Sequence, residues 1–99
     1  MTAADFRTSI DRLLGQVGHW EQFRWSHPPA RADRVHALVQ HLADLGADGE
    51  GRPHRRVPRD GDLLLPDQLR VMADDLLAVA SAETLQAAAA AVDDVRVAL

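Results

Sequence analysis

The chain has 99 residues, of which 46% are apolar and 26% charged, with a formal net charge of −4 and no Cys. That fits one compact domain of roughly 100–150 residues, with enough Leu, Val and Ala to oppose disorder. It excludes a disulfide framework, a thiolate zinc site and a cysteine nucleophile. The longest apolar run, Ala87–Val92, falls far short of the ~20 residues of a membrane helix. No apolar h-region of a secretory signal is visible, so the expected location is the cytoplasm. All 11 basic residues are Arg, and Lys, Asn and Tyr are absent; this bias points to GC-rich codons and a bacterial genome rather than to a selected preference for guanidinium.

The first periodic segment covers about 3–25. Phe6, Ile10, Leu13, Val17 and Trp20 recur at alternating spacings of four and three, the signature of a helix with one apolar face. Thr2 and Asp5 form a variant capping box. Gly15 and Gly18 weaken the helix, but the stripe keeps its phase across them, so one continuous helix is expected. Pro28-Pro29 ends it, and Ser26 is the candidate cap for the next segment, about 29–45. There Val35, Leu38, Leu42 and Leu45 make the stripe and Gly46 is the expected stop.

Residues 46–64 carry four Gly, two Pro and blocks of opposite charge, which predicts a long irregular loop. Pro66 then opens a third segment, about 66–80, with Leu65, Leu69, Met72, Leu76 and Val79 in phase. Ser81 is the expected N-cap of a fourth, about 82–99, with Leu85, Ala88, Val92, Val95 and Leu99 in phase. No strand is suggested. The prediction is an all-α, single-domain four-helix bundle, antiparallel in up-down-up-down order. Two helical hairpins that complete a core as a homodimer are the alternative, and Val71, Leu77 and Val97, which flank their stripes, are candidates for such a surface.

Charge is distributed unevenly: residues 52–59 carry +4, whereas residues 60–99 carry −6. Arg52, Arg55, Arg56 and Arg59 are therefore candidate electrostatic contacts, for an acidic partner or for the protein's own carboxylates. Nucleic-acid or phosphate-ligand binding through the same loop is an alternative, opposed by the acidic total charge. Asp33, His36, Gln40 and Asp44 share a helix face, with Asp and His at metal-ligand spacing. The matching pair on a second helix is missing, and the stripe points away from the apolar face, so a solvated face is expected. His41 and His54 suggest no fixed geometry. Asp74-Asp75 and Asp93-Asp94 diverge by about 100° within each pair, which argues against a shared acid–base site. No nucleophile elbow or phosphate-binding Gly loop is present. No catalytic residue, metal site or cofactor is expected.

His19 to Trp25 hold three of the chain's four aromatics. Trp20 belongs to the core stripe, whereas Phe23 and Trp25 project to opposite flanks. Trp and Arg are enriched where interfaces concentrate their energy, so Trp20, Phe23, Arg24 and Trp25 are the candidate partner-binding residues. The expected function is a non-catalytic protein-interaction module, binding a protein partner or a second copy. Small-ligand binding between helices near Trp20 is a further alternative.

Overall fold

The computed structural model describes residues 2–99. It is all-helical, with no strand among the described residues. Five α-helices occur rather than four: α1 (Thr2–Val17), α2 (Gln22–Ser26), α3 (Ala30–Glu50), α4 (Leu65–Val79) and α5 (Ala82–Ala98), with a 3₁₀ turn, η1 (Asp62–Leu64), before α4. Thr2, expected to cap the first helix in a box with Asp5, is itself a helical residue of α1.

The continuous first helix predicted over 3–25 is broken. α1 stops at Val17, Gly18 N–H closes on Leu14 O at 2.7 Å, and α2 restarts after Glu21. The physical reason lies in the two tryptophans. On an unbroken helix, residues 20 and 25 point about 140° apart, so only one could face the core. The break turns α2 so that both are buried. Ser26 is the last residue of α2, not a cap; Pro29 precedes α3.

The second predicted helix is too short at its far end. α3 runs on through Gly46 and Gly49 to Glu50 and is ended by Gly51, whose φ of 68° suits a residue without a side chain. Tertiary packing overrides the weak helix propensity of these glycines. Gly46 is buried, and a Cβ on Gly49 would sit 3.2 Å from Val79. Ser81 does cap α5, accepting from Thr84 N–H at 3.2 Å, and Pro66 lies in the first turn of α4.

The long loop 46–64 therefore shrinks to residues 51–61, which run as an extended strap back along α3. His54 meets Asp48, Val57 meets Gln40 and His36, and Arg59 meets Asp33. α3 is about 31 Å long at 1.5 Å per residue. Eleven extended residues reach roughly 36–40 Å, enough to return to its start. There Asp62 accepts from Gln22 Nε2 of α2 at 2.9 Å. α4 consequently starts beside the beginning of α3 and ends beside its end, at the Gly49–Val79 contact.

The antiparallel up-down-up-down order is thus incorrect. α3 and α4 are parallel neighbours, which a long return connection permits. α1 packs chiefly on α5. The C-terminal ends of both lie near the start of α3, through α2 and through Arg34 Nη1 donating to Ala98 O at 3.1 Å. Arg70 and Asp11, 2.9 Å apart, join α4 to α1.

All four apolar stripes meet in one core. Phe6, Ile10, Leu13, Trp25, Leu42, Leu65, Leu69 and Leu76 are among its largest fully buried side chains. At roughly 1.5–3 kcal/mol for each large apolar side chain, this burial is the principal stabilising force. Val57 of the strap joins the same core.

Candidate functional site

Two surface regions collect the residues singled out by chemistry. The first is the corner between α1 and α2. Trp20 is buried, and its ring meets Trp25 edge-on with centroids 5.0 Å apart. Arg24 and Arg31 place their guanidinium carbons 5.5 and 5.2 Å from the Trp20 centroid, within cation–π range. Arg31 also donates to Arg24 O and His27 O, which fixes the turn into α3.

Trp25 is fully buried and is not available to a partner. This corrects its assignment as a contact residue: the break after α1 turns it inward. Its indole Nε1 has no acceptor among the described residues. Phe23 behaves oppositely. It is 72% exposed, stacked on the His27 ring at 4.2 Å with 14° between planes. His27 Nδ1 in turn donates to Phe23 O. Arg24 is exposed beside it. His19, Trp20, Glu21, Phe23 and Arg24 line an open hollow of about 260 Å³.

The second region is the strap. Asp33, His36, Gln40 and Asp44 were expected to be a solvated face; they are instead the track on which the strap lies. Gln40 makes two of these attachments. Its Oε1 accepts from Val57 N–H at 2.7 Å, and its Nε2 donates to Arg55 O at 2.9 Å and to Asp44 at 2.8 Å. His36 Nε2 donates to Val57 O at 3.2 Å, and Gln68 of α4 donates to Pro58 O at 3.0 Å. An extended segment has no ladder of its own, so these side chains satisfy its backbone.

His54, expected to lack fixed geometry, is also tied down. Its Nε2 lies 2.7 Å from Asp48 and its Nδ1 3.7 Å from Asp44. The hydrogen bond to Asp48 raises the His54 pKa above its ordinary 6.5, against a smaller opposing effect of desolvation.

The strap arginines divide into two classes. Arg59 is held by Asp33 at 2.9 Å and Asp62 at 3.6 Å. Arg52 is held by Glu50 at 2.6 Å, a contact that lowers the Glu50 pKa, and Asp75 adds a favourable field. These two were candidate contacts, but their charge is answered within the chain. Arg55 and Arg56 have no carboxylate partner among the described residues. Both line a hollow of about 280 Å³ together with Arg52, Val57, Met72 and Asp75. Among the described residues no three His, Asp or Glu converge as a metal-binding group, and no helix is long and apolar enough to cross a membrane.

Sequence reasoning missed the role of Gln40 and the course of the strap. One signal was present: an acidic stripe, Asp33 to Asp48, followed by a basic block of complementary charge. No family model matches the chain, and no curated protein or solved structure is significantly similar to it.

Proposed function

We propose that the protein is a non-catalytic protein-interaction module that presents the α1–α2 corner to a partner. The observation that carries this proposal is Phe23. Burying such a ring is worth roughly 1.5–3 kcal/mol, yet the fold leaves it 72% exposed. Its stacking on His27 holds it in one orientation, which lowers the entropy lost on binding. Arg24 beside it and the hollow over Trp20 add the residue types on which interface energy concentrates. Trp20 and Trp25 pack against each other within the corner rather than serve as contacts.

A photo-crosslinking amino acid at position 23, introduced in the native host, tests this. The expected result is a discrete protein adduct that untagged wild-type protein competes away and Phe23→Ala protein does not. Absence of any specific adduct, with Phe23→Ala folded as wild type, would remove the proposal. An adduct to the chain itself would assign the corner to a homodimer.

A further inference from the structure

The strap and α4 together carry a second surface with a different chemistry. Arg55 and Arg56 line one hollow together with Val57 and Met72. Met72 is also a wall of a neighbouring, mostly apolar hollow of about 240 Å³, formed with Leu64 and Val71 and bordered by Asp60 and Asp67. Leu64 and Val71 are 46% and 53% exposed. The two hollows adjoin at Met72, one carrying the cations and the other apolar side chains; Asp75 also lines the cationic one, in the field of Arg52.

The cationic hollow is built before any ligand arrives. Gln40 holds the backbone on both sides of Arg56, through Arg55 O and Val57 N–H. The two guanidinium groups therefore lose only side-chain freedom on binding.

We infer that this pair of hollows binds an extended peptide segment of another protein, with paired carboxylates against Arg55 and Arg56 and a large apolar side chain against Leu64, Val71 and Met72. Charge complementarity selects this occupant. A nucleic-acid strand carries charge at every nucleotide, and its phosphates at the apolar hollow would face Asp60 and Asp67. A free phosphate would leave the apolar hollow unfilled. A peptide places its charges only where the cations are.

The inference is independent of the α1–α2 corner, and the test keeps the two separate. Labelled full-length protein is applied to an array of short peptides in which a Glu pair and a Leu or Phe are moved relative to each other. Charge-reversed and Leu-to-Ser versions serve as controls. The expected result is selection of acidic–apolar peptides at a defined spacing. Arg55→Ala/Arg56→Ala should weaken the best of them about tenfold, with no change in melting temperature. Val71→Asp should weaken it as well, and Phe23→Ala should leave it unchanged. Met72 is the only methionine besides Met1, so its methyl NMR signal should shift on binding.

No preference over the charge-reversed peptides would overturn the inference. So would tighter binding of a single-stranded oligonucleotide, displacement by inorganic phosphate alone, or an Arg55- and Arg56-dependent dimer that leaves no room for peptide.

Discussion

At the scale of single residues, Trp25, the largest fully buried side chain, carries an unmet polar group. Trp25→Ala should cost about 3–5 kcal/mol, as for other fully buried aromatics. Trp25→Phe should cost clearly less, because it also removes an indole N–H buried without an acceptor, worth roughly 1–3 kcal/mol. Urea denaturation of both variants checks the order; equal losses would show that the N–H has a partner in solution. His54 gives a prediction of opposite character. Its pKa is raised in the folded state by Asp48, so the stabilising contribution is fully present below the ordinary 6.5. It is lost as pH rises through the folded value. An NMR titration should show this, with Asp48→Asn moving the midpoint down.

Among the helices, the glycines separate by their surroundings. Gly15 lies in the body of α1 with nothing within 4 Å of a would-be Cβ, whereas at Gly18 that atom would fall 2.6 Å from Leu14 O. Gly15→Ala should therefore stabilise by roughly 0.5–1 kcal/mol, and Gly18→Ala should destabilise. Equal effects in denaturant titrations would contradict the break after α1. The strap has its own sensitive point. Gln40→Ala strips the N–H of Val57, the one buried residue of the strap, of its acceptor, at a cost of about 1–3 kcal/mol, and should speed amide exchange at Val57 ahead of the core helices. These elements show which information is local. Most of each stripe is buried as its spacing predicts, with Leu45, Met72, Val95 and Leu99 half-buried against the same core, because periodicity records which face meets the core. The break at Gly18 was hidden for the same reason, since the stripe passes through it in phase. Of the candidate contacts, Phe23 and Arg24 lie at the surface. The fates of Trp25, Arg52 and Arg59 depended on partners distant in sequence or on a turn that spacing cannot report.

For the molecule as a whole, the decisive feature is that α3 and α4 point the same way. Spin labels on Glu50→Cys and Ala78→Cys, introduced into a chain without native cysteine, should lie about one helix–helix spacing apart. An antiparallel arrangement would add most of the roughly 22 Å length of α4. A distance distribution from pulsed dipolar spectroscopy separates the two. Periodicity is blind to this choice, because a helix has the same stripe whichever way it points. The direction is set by how far the strap travels before η1.

The pairing of α1 with α5 has a consequence for biogenesis. α1 is made before its main packing partner α5, which follows more than 60 residues later. At synthesis rates of about 5–20 residues per second, that interval is on the order of 3–13 s. During it, Phe6, Ile10 and Leu13 lack the neighbour that covers them in the finished fold. The apolar face of α1 therefore stays without its main cover until α5 emerges, whereas the contacts of the α3–strap–α4 segment are nearer in sequence.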